Sequence, residues 1–99
     1  MEARFQFVHL EKSEALQDFT QEKLNKLDEK FDGIISAEVH FRQDEAQDPA
    51  GHFCNISVSI PGPMLFAESN KNSFEAAVAA TVKDLESQLK KRKAKMRTH

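Results

Sequence analysis

The sequence predicts an α+β domain with the element order β-α-β-β-β-α, in which two helices cover one face of a four-stranded sheet. Three short segments alternate apolar and polar residues, which is typical of strands with one buried face. Two longer segments repeat apolar residues at spacings of about three and four, which is typical of helices with one apolar side. A length of 99 residues suits a single domain, and we expect residues 1–99 to form one.

The first strand and the start of the first helix lie near the N-terminus. Arg4–Leu10 is the predicted strand, because Phe5, Phe7 and His9 alternate with the other residues. Ser13 is the predicted N-cap, since its side-chain oxygen can accept a hydrogen bond from a free backbone N–H of the first turn.

The first helix is predicted to run from Ser13 to about Phe31. Its apolar side consists of Leu16, Phe19, Leu24, Leu27 and Phe31. Gly33 is the expected stop, because glycine adopts the left-handed conformation without a Cβ clash. Since a helix separates the first two strands, we expect them to run parallel with a right-handed crossover.

Two further strands show clear alternation. The second has one apolar side formed by Ile35, Ala37, Val39 and Phe41. The segment Gln43–Gly51 is polar, acidic and interrupted by Pro49, so we expect a mobile loop there. The third strand has the most regular pattern, with apolar residues at Cys54, Ile56, Val58 and Ile60.

The last strand and the second helix complete the order. Pro61–Pro63 predicts a turn, Met64–Ser69 a short fourth strand, and Asn70–Asn72 another turn. Ser73 is the second predicted N-cap. A long helix from Phe74 to near the C-terminus is predicted by the apolar residues Phe74, Val78, Thr81, Val82, Leu85, Leu89 and Met96.

Charge is distributed unevenly along the chain. The protein has 14 Lys and Arg residues against 16 Asp and Glu residues, a formal net charge of −2. Six of the 14 basic residues and none of the 16 acids lie at positions 90–99, so this basic extension carries +6 and the preceding residues carry −8. Such asymmetry suggests a polyanion-binding end on an acidic body. The alternative is a solvated helix terminus, although a helix dipole favours cations only in its last turn.

Helical geometry, at about 100° per residue, places the cations on particular sides of the two helices. On the first helix, Lys23, Lys26 and Lys30 form a row along one edge of the apolar side, while the acids lie on the outer face. On the second helix, Lys83, Lys90 and Arg97 share the outer face. If the helices lie side by side, these two rows form one basic surface.

Within the basic extension, cations surround the helix. Lys91 and Lys95 lie on one side, Lys93 lies on the other, and Arg92 is in line with the apolar side. A cation in that line predicts that the core ends before Arg92 and that the last turns project beyond the sheet. We call the whole set the basic ridge: Lys23, Lys26, Lys30, Lys83, Lys90, Lys91, Arg92, Lys93, Lys95 and Arg97.

A basic ridge of this kind would bind RNA or DNA through phosphates, in a strongly salt-dependent way. Lysine contacts to phosphate carry no base information, so we expect recognition of shape and backbone. The sequence has no Tyr or Trp, which argues against binding by base stacking on an aromatic platform.

Nothing in the sequence predicts catalysis. The four His residues, His9, His40, His52 and His99, have no metal-ligand spacing, and the three Gly residues form no phosphate loop. Cys54 is expected to be a small buried hydrophobe, and a single cysteine fits a reducing compartment. The pairs Glu22–Lys26 and Glu86–Lys90 have the spacing of surface ion pairs on helices. We expect no enzyme activity, no cofactor, no metal and no small-molecule substrate.

Two segments resemble the two helices of the ribosome hibernation-promoting factors, also called ribosome-associated inhibitors or ribosomal subunit interface proteins. They are EALQDFTQEKLNKLDEKFD, residues 14–32, and KDLESQLKKRKAKMRTH, residues 83–99. The family's second-helix pattern matches Gln88, Leu89, Lys91, Lys93 and Lys95; in the first helix Lys23, Lys26 and the Phe31-Asp32 stop match. The element order matches as well, so the resemblance covers the whole chain.

The resemblance implies a fold like a double-stranded-RNA-binding domain and a single ribosome-binding domain with a basic extension at about 90–99. It implies docking on rRNA of the small ribosomal subunit, where the protein occupies space needed by mRNA and tRNA and stops translation in resting cells. The chain ends just after the helix, as in short members of the family. Asp84 and Ser87 stand where the family often has basic residues, which thins the basic ridge.

Two other functions remain open from the sequence. The chain could be a free binder of double-stranded RNA, or a protein-interaction module whose basic helix meets an acidic partner. In each case we expect a cytoplasmic protein, because the sequence has neither a secretion signal nor an apolar run long enough for a membrane span. We also expect the protein to be monomeric when free.

Overall fold

A computed structural model describes residues 1–46 and 51–97 of the protein, with side chains described as far as Lys93. The element order is β1 (Glu2–Phe7), α1 (Glu14–Lys30), β2 (Ser36–Asp44), β3 (Gly51–Ser59), β4 (Leu65–Lys71) and α2 (Phe74–Arg97). The predicted β-α-β-β-β-α fold is therefore confirmed.

The four strands form one mixed sheet in the order β1-β2-β3-β4. β1 and β2 are parallel, with Glu2 opposite Ser36 and Phe7 opposite Phe41, as expected for two strands that flank a helix. β2, β3 and β4 follow as antiparallel neighbours. The sheet therefore has three strands joined by short connections and one strand added through α1.

The core lies between one face of the sheet and the two helices. Ala37, Val39 and Phe41 of β2 are buried together with Cys54, Ile56 and Val58 of β3. They pack in one cluster with Leu16, Leu24 and Leu27 of α1 and with Ala77, Val78, Leu85 and Leu89 of α2. The opposite face carries Arg4, Glu38, Arg42 and Glu68, all exposed, so it is open to solvent.

Both predicted N-caps are present. The Ser13 hydroxyl accepts a hydrogen bond from the Leu16 backbone N–H at 3.2 Å, and the Ser73 hydroxyl accepts one from the Ala76 N–H at 3.2 Å. Each cap satisfies a donor that the first helical turn leaves free, which explains why the helices begin where they do.

The first strand is shorter at its C-terminal end than the alternation predicts. It ends at Phe7, after which the Val8 N–H still donates to the Phe41 carbonyl at 2.9 Å. His9 then adopts a left-handed conformation, with φ 55°, and turns the chain towards α1. The predicted strand Arg4–Leu10 is confirmed from Arg4 to Phe7, whereas Val8–Leu10 lie outside β1, with His9 exposed in the turn.

The connection from α1 to β2 also differs from its prediction. Phe31 leaves the helical conformation with φ −132° and is buried, so the helix stops before Gly33 is reached. Gly33 has φ 94° and redirects the chain instead of capping the helix directly. Ile35, predicted on the buried side of β2, precedes the strand and is 57% exposed.

The strand pairings extend further than expected around the β2–β3 connection and at the end of β4. Gln43 and Asp44 pair with His52 and Gly51, so the two ends of the predicted loop Gln43–Gly51 belong to β2 and β3. Residues 47–50 of that loop, including Pro49, lie outside the described residues. β4 continues to Lys71, which pairs with His52, so the turn predicted over Asn70–Asn72 begins later. Polar residues can continue β2 and β4 because the backbone of each strand is already aligned with that of its partner strand.

One side chain of α2 ties the helix to the outer strand. The Gln88 amide donates to the backbone carbonyl of Phe66 in β4 at 3.0 Å, and it also contacts Asp84 at 3.4 Å. This contact fixes the position of α2 over the sheet, and therefore of the cations that α2 carries.

Candidate nucleic-acid interface

The two helices meet at a carboxylate held between two lysines. Lys30, the last residue of α1, lies 2.9 Å from Glu86 Oε2, and Lys90 of α2 lies 3.4 Å from Glu86 Oε1. The hydrogen bond from Lys30 and the charges of both lysines hold the pKa of Glu86 below its usual value of 4.5. Glu86 is thus ionised near neutral pH and brings cations of both helices onto one surface.

The α1 part of the basic ridge runs back from this point. Lys23, Lys26 and Lys30 follow at spacings of three and four, so they share one side of α1. The Lys23 ammonium lies 5.4 Å from the centre of the Phe19 ring, a cation–π distance. Lys26 is 63% exposed and 3.9 Å from Glu22, which confirms the predicted Glu22–Lys26 pair. These ammonium groups lie at the surface.

The α2 part of the ridge is less neutralised. Lys83, Lys91 and Lys93 are exposed, and none of them forms an ion pair with another residue of the described part of the chain. Glu86–Lys90 is the predicted ion pair on this helix and is present at 3.4 Å. Most of the positive charge on α2 is therefore available to an external anion.

Arg92 lies just past Leu89, the last described core residue of α2. The residue is half-buried, and its guanidinium lies against the Pro61–Pro63 turn. A Cβ at Gly62 would come within 2.5 Å of Arg92 Nη2, so a larger residue there would displace the end of the Arg92 side chain. Among the described side chains the core cluster of α2 ends at Leu89, so the prediction that the core ends before Arg92 is confirmed.

The remaining two predicted ridge residues are only partly placed. Lys95 and Arg97 lie on α2, which continues to Arg97, but their side chains are outside the described ones. The structure thus brings Lys30 and Lys90 together directly and sets Lys23, Lys26, Lys83, Lys91, Arg92 and Lys93 on the same two helices.

Two features of the surface had no signal in the sequence analysis. The contact of Lys30 with Glu86 joins residues 56 positions apart, so helical spacing could not reveal it. Phenylalanine also reaches the open face of the sheet, where Phe66 is 54% exposed and Phe53 lies 4.0 Å from the Arg42 guanidinium. The argument against aromatic stacking counted only Tyr and Trp and missed these two rings.

The described side chains of the basic ridge are cations that can bind anions. Burial raises the pKa of the Cys54 thiol to about 12, so the thiol stays protonated, and the predicted buried hydrophobe is confirmed. Within residues 1–46 and 51–97, no group of three or more His, Cys, Asp or Glu side chains could hold a metal ion. No helix in that part of the chain is long and apolar enough to cross a bilayer.

Comparison with known proteins gives one family match. The sequence profile of the family described as Sigma 54 modulation protein / S30EA ribosomal protein matches residues 3–97. A ribosome hibernation promoting factor from Pseudomonas putida is 28% identical over 98 residues, which cover 99% of this chain and 92% of that protein.

Two solved structures have the same fold. A ribosomal subunit interface protein from Coxiella burnetii superposes with a TM-score of 0.85 at 23% identity, covering 95% of this chain and 99% of that one. The N-terminal domain of Protein Y from Thermus thermophilus superposes with a TM-score of 0.78 at 27% identity, covering 92% of this chain and 98% of that domain.

Proposed function

The chain belongs to the Sigma 54 modulation protein / S30EA ribosomal protein family, and we propose that it silences resting ribosomes by binding the small subunit. In this proposal the basic ridge contacts rRNA, and the body of the protein fills part of the channel that mRNA and tRNA use. Translation stops because the space is occupied, so no catalytic step is required.

One observation carries the proposal. Lys30 of α1 and Lys90 of α2 contact the same carboxylate of Glu86, which supports a single binding surface formed by cations of both helices. Phosphates of a folded RNA are closely spaced, and a rigid surface with several cations can neutralise several of them at once. Two packed helices hold such a surface in a fixed shape, which suits recognition of RNA by its backbone.

The remaining parts of the proposal follow from this binding mode. Residues 1–99 act as a single ribosome-binding domain, and the basic extension at 90–99 adds charge where α2 leaves the sheet. Ribosome binding places the protein in the cytoplasm, and we expect it to be monomeric before it meets the ribosome. The relative from Pseudomonas putida, named a ribosome hibernation promoting factor, supports the same role.

Co-sedimentation with small ribosomal subunits tests the proposal. We expect the wild-type chain to pellet with subunits and the variant with Lys91, Lys93 and Lys95 all changed to Glu to stay in the supernatant. A matched control changes Arg4, Lys12 and Lys71 to Glu, because these exposed cations lie away from the basic ridge and the change in net charge is the same. Equal pelleting of the two triple variants would refute the assignment of the site.

A second measurement separates ribosome binding from the two other functions. A free binder of double-stranded RNA would shift a plain RNA duplex as well as it binds subunits. A protein-interaction module would show no affinity for rRNA at moderate salt. We expect preferential binding to subunits, together with reduced protein synthesis when the chain is added to a translating extract.

A further inference from the structure

A cleft of about 380 Å³ lies at one end of the basic ridge, between the end of α1, the turn after β3, and α2. Its apolar lining comes from Phe31, Gly33, Ile60, Pro61 and Leu89. Its charged lining comes from Lys30, Asp32, Arg92 and Lys93. The volume is near the lower end of pockets that hold small organic groups, about 300–1,000 Å³, so the cleft has room for one nucleotide.

The cleft is built on elements that hold their shape. Leu89, Arg92 and Lys93 lie three and four residues apart, so they share one side of α2. Phe31 and Ile60 are each 8% exposed and belong to the hydrophobic core. The cleft therefore exists before any ligand arrives, and its apolar lining is continuous with the core.

Arg92 is the group in this cleft that most needs an anion. It is half-buried, its guanidinium is pressed against Gly62, and it forms no ion pair with a described residue. A guanidinium that is partly removed from water and lacks a carboxylate favours a phosphate, which it can bind through two parallel N–H donors. Lys93 follows on the same side of the helix and is exposed, so it can contact the same phosphate.

We propose that this cleft takes one unstacked nucleotide of rRNA, with its base against Phe31, Pro61 and Leu89 and its phosphate on Arg92 and Lys93. The inference rests on the proposed function and adds a base contact to a surface that otherwise reads phosphates. Asp32 on the rim is an acceptor for the ribose 2′-hydroxyl or for an exocyclic amine of the base, and the ribose contact favours RNA over DNA.

Chemical probing of bases on the small subunit tests the inference with the full chain at saturating concentration. Arg92→Gln removes the central cation, and Arg4→Gln is the matched control, because Arg4 is an exposed arginine on the open face of the sheet and neither lines the cleft nor belongs to the basic ridge. We expect the wild type and Arg4→Gln to protect the Watson–Crick edge of the same unpaired base, and Arg92→Gln to lose that protection. Identical protection by Arg92→Gln and Arg4→Gln would overturn the inference.

A short single-stranded RNA with a central 2-aminopurine gives a second readout that does not need the ribosome. Transfer of the fluorescent base into the cleft changes its emission, and we expect about tenfold weaker binding for Arg92→Gln, the loss expected for a charge-assisted hydrogen bond. Arg4→Gln should weaken binding by no more than about twofold, as is typical of an exposed charge away from the site. Lys93→Gln, at an exposed position that cannot unfold the chain, should follow Arg92→Gln.

The two readouts distinguish failure of the inference from failure of the proposed function. Binding to subunits without any base protection that depends on Arg92 overturns the nucleotide cleft and leaves the proposed function. If the emission change depends on Arg92 but the protein does not co-sediment with subunits, the proposed function is overturned, while binding of an RNA nucleotide in the cleft still holds. Binding of free AMP as tightly as the single-stranded RNA would overturn the inference in favour of a small-molecule site.

Discussion

Isoleucine side chains in this protein differ widely in what they contribute to stability. Ile56 lies in the middle of β3, is fully buried and belongs to the core between the sheet and the helices. Ile35 lies just before β2 and is 57% exposed, although the alternation predicts that it is buried. The apolar pattern predicts that both residues are buried, but in the structure only Ile56 is.

The two isoleucines provide a matched test of this difference. Ile56→Ala should lower the free energy of unfolding by about 2–5 kcal/mol, because it removes buried methyl groups and leaves a cavity. Ile35→Ala should change it by less than about 0.5 kcal/mol, as is usual at exposed positions. Urea unfolding of both variants measures the difference, and comparable losses would contradict the exposure of Ile35.

Among the secondary-structure elements, α1 and α2 are joined through charge as well as through the core. Glu86 forms ion pairs with Lys30 of α1 and with Lys90 of its own helix, and both ion pairs lie at the surface. The lowered pKa of Glu86 means that the folded state favours the ionised carboxylate more than the unfolded chain does. This stabilisation is present above the usual pKa of Glu, and it is lost as the pH falls through the lowered value.

The pH dependence of Glu86→Gln follows from this sign. At pH 7 the variant should be less stable than the wild type by up to about 1 kcal/mol, the upper range for exposed ion pairs. Below the lowered pKa of Glu86 the two proteins should have the same stability, because the wild-type carboxyl is then also neutral. Thermal unfolding across pH 3–7 measures this, with Glu22→Gln, whose ion pair is longer at 3.9 Å, as a control with a smaller effect.

Glu86→Gln should strengthen ribosome binding, although it lowers the stability of the protein. Glu86 occupies the position between two ridge lysines that a phosphate would otherwise take, so Glu86→Gln should bind small subunits more tightly than the wild type does. Asp84→Asn is the control on the same helix, since Asp84 contacts Gln88 and no lysine. If Glu86→Gln binds more weakly than Asp84→Asn, the main effect of Glu86 is to order the two lysines, and its competition with phosphate for them is the smaller effect.

Most of each element could be predicted from the sequence, and the errors share one cause. The alternation of Cys54, Ile56 and Val58 located β3, because every second residue faces a core on one side only. Alternation cannot show where a chain leaves the sheet, so the predicted first strand extended past Phe7 into the turn that contains His9. It also ended β4 too early, because Lys71 continues the strand through backbone pairing with His52 alone.

At the scale of the whole molecule, Lys30 of α1 and Lys90 of α2 meet at Glu86. Helical periodicity could predict which residues share a side of each helix, but not that these two helices meet there. The sequence could not show that Arg92 packs over Gly62 or that a cleft forms beside it, because these contacts join a helix to a distant turn. The shape of this surface thus depends on tertiary contacts that no single segment encodes.

Salt dependence measures how many cations of the ridge contact phosphate. The logarithm of the binding constant for small subunits should fall linearly with the logarithm of salt concentration. Lys91→Gln should make the slope shallower by about 0.7–0.9, the value for one phosphate contact. Arg4→Gln, on the open face of the sheet, should leave the slope unchanged, and a slope that is equally altered by both would place the RNA elsewhere.

The amide of Gln88 has a consequence for the behaviour of the protein at high concentration. An outermost strand normally offers unpaired carbonyls as a template on which another chain can add a strand. In β4 the carbonyl of Phe66, the second residue of the strand, already accepts a hydrogen bond from Gln88. A second copy that added a strand along β4 would therefore have to displace or share the Gln88 hydrogen bond.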